Sequence, residues 1–460
     1  MDNQKANPLA TRRIPSLMIQ YAVPSVISMV VTALFNIVDQ IFIGWGVGYL
    51  GNTATTVAFP FMIVGLAFAL LTGNGAAALI SLDLGRGSSE NAKRALGSAI
   101  VTLASISLLL VAISLLFLDP LLTAFGATDA VMPYARDYAS IIVASLPFSM
   151  LATAVSNTIR ADGSPHYSMM CMISGAILNA VLDPVFIFVF HMGVKGAAYA
   201  TLISQAVSFL LAVYYLLKRA NHIRISLPDL KPQFKLILRT SALGSSSFMN
   251  QLSMVLVTVV INRSLVHYGA ASPYGSEIPL AALGIVMKTN MILLSVILGI
   301  SIGMQPILGF NYGAKNYVRV KETLRAGIII SGLIAAAVNL LFVAIPDAFI
   351  SVFGDQDPYF IAFASLALRT FLACVFAAGI QIPCSLFFMA TGRPLKAMVL
   401  QLTRSVFLLI PLVLILPMFF GLSGVLYAGP ASDILALCVT SWFVLREFRN
   451  MEKNALLHDR

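Results

Sequence analysis

Charge is the scarcest commodity in this chain. Asp, Glu, Lys and Arg make up 10% of its 460 residues, against 59% apolar residues and a mean hydropathy of +0.90. That composition cannot cover a molecule that faces water on all sides, so an ordinary soluble domain is excluded. Cysteine is also sparse. Cys171, Cys374, Cys384 and Cys438 all fall inside apolar runs at no metal-binding spacing, so they read as small buried hydrophobes and no disulfide is expected. The five histidines, His166, His191, His222, His267 and His458, stand at the ends of such runs or between them. With no His cluster, no phosphate loop and no nucleophile beside a base, the sequence predicts no enzyme, no cofactor and no structural metal.

What the chain has in quantity is long apolar segments. They recur along its whole length near 16–44, 54–82, 96–118, 134–158, 166–190, 196–217, 239–264, 280–310, 324–345, 358–389, 396–416 and 422–445. Each can cross about 30 Å of hydrocarbon as a helix. Helix is required there, because lipid offers unpaired backbone groups no partner. The expectation is an all-α membrane protein with twelve transmembrane helices. The first run is full span length and lacks a small-residue cleavage site, so it reads as a membrane helix rather than a removable signal. The connecting loops are too short to fold into domains of their own.

A net charge of +10 in a soluble protein would suggest a nucleic-acid partner, but here its placement matters more. With the N-terminus inside, Lys and Arg gather in the cytoplasmic connections. Only Arg136, Lys195 and Arg263 lie at outer ends, and only Lys288, Arg369 and Arg404 within spans. The connections at 119–129 and 347–357 carry acidic residues and no Lys or Arg, as befits the outer side. The reading is therefore a multi-pass protein of a bacterial cytoplasmic (inner) membrane with both termini cytoplasmic, in contact with lipid and not with nucleic acid.

An internal repeat sets the architecture. Leu84-Gly85-Arg86-Gly87 resembles Phe310-Asn311-Tyr312-Gly313 at an offset of 226. Ala161-Asp162-Gly163-Ser164-Pro165 resembles Ala390-Thr391-Gly392-Arg393-Pro394 at 229. Gly193 to Ala200 resembles Gly421 to Ala428 at 228. An even number of spans per repeat makes the two halves parallel, related by an axis along the membrane normal. The predicted organisation is a first six-helix lobe at 1–217, a polar linker at 218–238 with Lys218, Arg219, Arg224, Lys231, Lys235, Pro228 and Pro232, and a second lobe at 239–460. Two such lobes enclose a central cavity. The linker reads either as a short helix lying on an anionic leaflet or as a solvated loop.

Function in such a chain is sought at ionisable groups inside the spans, where charge is costly. Six qualify: Asp39, Asp183, Lys288, Arg369, Arg404 and Asp433. Counting about 1.5 Å per residue from the outer helix ends puts Asp39, Asp183 and Thr201 at one depth. Asn179 shares a helix face with Asp183, and Asn36 stands three residues before Asp39. Two carboxylates with amide and hydroxyl neighbours can hold a proton or a hard cation such as Na⁺, while a purely structural set of hydrogen bonds is the alternative. In the second half, Arg369, Arg404 and Asp433 approach the midplane. They form a structural ion pair, most simply Arg404 with Asp433, or else an Arg faces the cavity and touches substrate. Asn36, Gln251, Lys288, Arg369, Arg404 and Asp433 are the candidate cavity residues.

Over essentially its full length the chain resembles the MATE (multidrug and toxic compound extrusion) family, most like its DinF-type, MepA-like branch. The resemblance is carried by Pro24, by Phe35-Asn36-Ile37-Val38-Asp39-Gln40-Ile41-Phe42-Ile43-Gly44, by Arg160-Ala161-Asp162-Gly163, and by Asn179 with Asp183-Pro184. It implies a V-shaped pair of lobes that alternately opens the cavity to each side, exporting organic cations in exchange for H⁺ or Na⁺, with the coupling site at Asp39, Asn179, Asp183 and Thr201. Pro24 matches the position at which the family's first helix can bend. The NorM-type branch places acidic cation ligands in helices seven and ten, where this chain has Asn250, Gln251 and Arg369, so a Na⁺ site in the second lobe is not expected. A monomer is expected. The alternative is a flippase for a lipid-linked saccharide or another anionic substrate, which Lys288, Arg369 and Arg404 would suit.

Overall fold

The computed structural model describes residues 7–351 and 358–458. Among them the regular structure is helical throughout, and twelve spans follow one another: α1 Ile14–Val47, α2 Leu50–Gly85, α3 Ser89–Leu116, α4 Met132–Ala161, α5 Pro165–Val189, α6 Gly193–Arg219, α7 Phe234–Ala270, α8 Glu277–Gly313, α9 Tyr317–Ala344, α10 Pro358–Phe371 with Val375–Ala390, α11 Pro394–Phe420 and α12 Leu422–Glu452. The helices outrun the apolar segments at many ends. Backbone hydrogen bonding continues through Lys235 and Arg239 at the start of α7, because charged side chains do not stop a helix where glycine and proline do.

The span expected at 358–389 is not straight. α10 breaks after Phe371 and bends by 44°. There Ala373 bonds to Thr370, Val375 to Leu372 and Ala377 to Cys374, the tighter spacing of a 3₁₀ turn. No proline or glycine marks the break, so apolar patterning alone does not reveal it.

Six helices form each lobe, and the lobes meet along α1 against α8, α2 against α7, and α2 against α8. The contacts come in symmetric pairs. A Cβ added to Gly75 of α2 would fall on the Thr240 carbonyl of α7, and one added to Gly244 of α7 on the Leu71 carbonyl. The same relation recurs between Gly303 and Ala22 and between Gly299 and Val26, where α8 crosses α1. Residues without side chains are what let these backbones touch. All of these approaches lie in the half of the bundle that holds Ile14 and the ends of α2 and α8, whereas α7 exposes Leu252, Met254, Val255, Leu256 and Val259 further along. The lobes are closed on each other at that end.

This geometry corrects one repeat register. Gly85 packs on the Phe310 carbonyl and Gly313 on the Leu82 carbonyl, so Gly85 and Gly313 are equivalent and the offset is 228, not 226. The backbone agrees: the positive-φ residue after α2 is Gly87, at 80°, and after α8 it is Lys315, at 59°. A glycine shared by both segments drew the sequence match two residues out of place. The short helices Leu118–Ala124 and Pro346–Ser351, after α3 and α9, obey the same spacing.

The linker forms neither an amphipathic helix nor a free loop. Leu227–Leu230 is a single 3₁₀ turn capped reciprocally by Ser226 and Asp229, and it packs on Gly97 of α3. Hydrogen bonds from Ser226 hold the Asp229 carboxyl below its usual range. Upstream, Asp162 takes the backbone N–H groups of Asn221 and His222 and the Tyr215 hydroxyl at 2.7–2.8 Å, which ties the linker to the α4–α5 turn. Burial pushes the Asp162 carboxyl up, and these donors pull it back.

Candidate functional site

Three helices of the first lobe bring four of the predicted residues together. Asp39 comes from α1, Asn179 and Asp183 from α5 and Thr201 from α6. Local sequence explains why α5 is irregular at this point: Pro184 has no N–H to give back to the preceding turn, and the helix widens into a π turn over Val185–Val189. Asp183 stands at the last residue before that proline. Asn179, one turn back, lies on the same face.

The geometry is compact. With its amide oriented to satisfy both ends, Asn179 donates to Asp183 Oδ2 at 2.7 Å and accepts from the Thr201 N–H at 3.1 Å and from Thr201 Oγ1 at 3.2 Å. Asp183 and Asn179 are sealed from solvent, Thr201 nearly so, and Asp39 is half-buried. The Asp39 and Asp183 carboxyl groups lie within hydrogen-bonding reach of each other. Each still has a buried Oδ1 with no hydrogen-bond partner among the described residues. Oxygen is thus the only donor type on offer, which suits a proton or a hard monovalent cation and not a transition metal. No cluster of three or more His, Cys, Asp or Glu side chains is gathered among the described residues.

Asn36 has no hydrogen bond to this cluster among the described residues. Its amide donates to the Thr32 carbonyl of its own helix at 2.7 Å. Pro24 lies inside an unbroken α1, buried, with Ser28 bonded to its carbonyl at 2.8 Å. Tyr138 of α4 is a residue that sequence reasoning missed: it is buried within electrostatic reach of both carboxyls. A tyrosine at this level of a span was the available signal.

In the second lobe, Arg404 Nε meets Asp433 Oδ1 at 2.6 Å. Asp433 is buried, Arg404 half-buried, and the Asp433 backbone carbonyl accepts from Gln381 at 3.3 Å. Arg404 lies in a π-helical stretch of α11, Thr403–Leu409. Gln251 is half-buried, while Lys288 and Arg369 are exposed.

A second polar group, also missed, lies where the lobes join. Asn157 of α4 donates to Asn74 Oδ1 at 2.7 Å, Asn74 donates to Ser247 of α7 at 3.0 Å, and Gln305 of α8 donates to the Asn74 carbonyl at 3.2 Å. Buried Arg160 braces Asn157 and donates to Ser168 at 3.0 Å. Asn74 therefore links three helices of both lobes. Neutral amides within spans are the available signal.

Comparison with known proteins agrees with this architecture. The chain is 25% identical to the multidrug export protein MepA of Staphylococcus haemolyticus (strain JCSC1435) over 446 residues, 96% of each chain. It is 35% identical to the MATE multidrug transporter DinF-BH, solved as a complex with a bound compound, with a TM-score of 0.86 over 96% of this chain and 97% of that one. It also matches the outward-facing conformation of a multidrug resistance MATE family transporter of the MOP superfamily, at 24% identity and a TM-score of 0.89 over 98% of both chains. The family model described as MatE matches residues 24–185 and 241–415. Twelve helices in two pseudo-symmetric lobes, a buried oxygen-rich site in the first of them and a family match spanning both halves lead to one conclusion: the chain is a membrane transporter, not an enzyme, and belongs to the MATE family.

Proposed function

We propose that the chain is an antiporter that exports organic cations, drugs among them, by alternating access, driven by H⁺ or Na⁺ entering at Asp39, Asn179, Asp183 and Thr201. The observation that carries this reading is the pair of carboxyls on α1 and α5. Two ionised carboxylates this close repel each other, and a proton or a cation between them would remove that repulsion. Without one they repel, by about 4 kcal/mol at 4 Å in a medium of protein-like dielectric. Ion binding therefore decides whether the far half of α1 stays drawn to α5. Because α1 also packs on α8 of the other lobe, a change there reaches the interface between lobes. An ion that favours the state with poor substrate affinity drives release on its own side.

The MepA and DinF-BH relatives are multidrug transporters, which supports a drug-like substrate for this chain. The positive-inside pattern supports cytoplasmic termini, and the molecule acts as a monomer in the inner membrane. A second reading, export of an anionic or lipid-linked substrate, is supported by the exposed Lys288 and Arg369.

The test is ethidium efflux from everted vesicles carrying the wild type, Asp39→Asn or Asp183→Asn, with a pH gradient or a Na⁺ gradient imposed separately. Export by the wild type and loss in both variants at equal expression is the expected result. Normal export by the variants would make the carboxyl pair structural. A wild type that moves no cation would favour the anionic reading.

A further inference from the structure

At the end of the bundle where the lobes close, the first turns of α1 and His166 of α5 line an open groove of about 740 Å³. Its mouth carries Arg12, Arg13 and His166, all exposed, and its floor runs along Ile19, Val23 and Pro24. The polar end and the apolar end are thus in the order of a lipid, with cations where a headgroup would sit and exposed Ile19 and Val23 where acyl chains would lie. Met170 and Ile177 on α5 continue the apolar face into the bilayer.

No described residue neutralises the charge at the mouth. Among the described residues neither Arg12 nor Arg13 has a carboxylate partner, and the Arg12 guanidinium donates only to Gln20, at 3.2 Å. Asp162, an acid at this end of the bundle, is buried and already engaged by Tyr215, Asn221 and His222. At the α10–α11 turn, the second lobe's counterpart of the turn that carries His166, the cations Arg393 and Lys396 instead converge on Glu447, which is fully buried. The backbone of the groove is also fixed, since the Arg12 carbonyl accepts from Arg319 of α9 at 2.6 Å. Two exposed arginines on a pinned backbone, beside an apolar trough open to the membrane, form a preorganised anion site with a hydrophobic extension.

We propose that this groove binds an anionic phospholipid, its phosphate between Arg12 and Arg13 and its chains along Ile19 and Val23. The occupant contacts α1 no further along than Pro24, well before Asp39 in the sequence, so the proposal does not rest on the carboxyl pair.

Binding is measured on the full-length protein in detergent by native mass spectrometry with phosphatidylglycerol, phosphatidylcholine and inorganic phosphate. The expected result is retention of one phosphatidylglycerol with a preference of about tenfold or more over phosphatidylcholine, the two arginines supplying the difference. R12Q/R13Q brings the two lipids to equal retention. Val23→Trp, which fills the trough and leaves both charges in place, abolishes retention of either. Equal retention of both lipids by the wild type overturns the proposal, and so does an unchanged preference in R12Q/R13Q. Displacement of the lipid by millimolar phosphate alone would show an anion site without lipid character and overturn it as well.

Discussion

Arg319 in the first turn of α9 holds the backbone carbonyl of Leu9, at 3.0 Å, across the boundary between the two lobes. The same guanidinium takes the Arg12 carbonyl, and its Nε donates to Asn311 Oδ1 at 3.1 Å, while the Asn311 amide donates to the Leu9 carbonyl at 3.1 Å. The segment before α1 is thereby clasped to the second lobe. Its pseudo-symmetric partner, the turn before α7, is clasped to the first lobe through Gln233 N–H and Ser98, at 3.2 Å. Neither clasp can survive separation of the lobes at this end.

Arg319→Gln removes three charge-assisted bonds from one clasp and leaves the other. The expected outcome is a shift of several-fold towards the state in which this end is open, since each such bond contributes on the order of 1 kcal/mol or more. Spin labels at Ser89 and Val318, one in each lobe, in a chain lacking the native cysteines, read the distance directly. An unchanged distance distribution would show that the clasp does not hold this end shut.

The Gly75–Thr240 and Gly244–Leu71 contacts make a second prediction at the same interface. Gly75→Val places a branched side chain on a backbone carbonyl that cannot retreat without moving α7. The lobes should then fail to close fully at this end. With the same label pair, the short-distance population falls strongly, and substrate export falls with it. Gly284, whose added Cβ would meet open space, is the control position and tolerates the same change.

The number of helices was legible from hydropathy and the shared level of Asp39, Asp183 and Thr201 from helical rise, because lipid leaves a chain so little choice of backbone, while the two halves were legible from the internal repeat. The break in α10 was not, since it arises from 3₁₀ bonding around Leu372 without proline or glycine. Nor was the 228-residue register of α2 and α8, which rests on which backbone atoms touch and not on which letters match. The Asn74 network was hidden for a further reason: amides are tolerated in many span positions, so only the fold tells which of them meet.

A substitution at Thr201 would tell the two proposed coupling ions apart. Its hydroxyl and N–H hold Asn179, which in turn holds Asp183. A proton needs only the two carboxyls, whereas Na⁺ needs the neutral oxygens as ligands. If the ion is a proton, the expected outcome for Thr201→Val is efflux driven by a pH gradient within about threefold of wild type, because a proton needs no neutral oxygen ligand. If efflux is instead Na⁺-driven and the apparent Na⁺ affinity falls by about tenfold or more, the ion is Na⁺ and Thr201 is a ligand.

The Arg404–Asp433 pair tests whether the second lobe contributes chemistry or only stability. Asp433 is buried and Arg404 stands beside it half-buried, so removing the carboxylate leaves the cation without its partner. Asp433→Leu alone should cost about 3 kcal/mol of stability, read as a fall in melting temperature in detergent. Adding Arg404→Met removes the stranded charge and should recover most of that loss, because two matched apolar side chains replace a buried pair at little net cost. Export by the double variant then decides the role. If ethidium efflux returns with the melting temperature, the pair is a brace between α11 and α12. If stability returns and efflux does not, Arg404 or Asp433 touches the substrate, and the two lobes divide the work, with ion coupling in the first and substrate contact in the second.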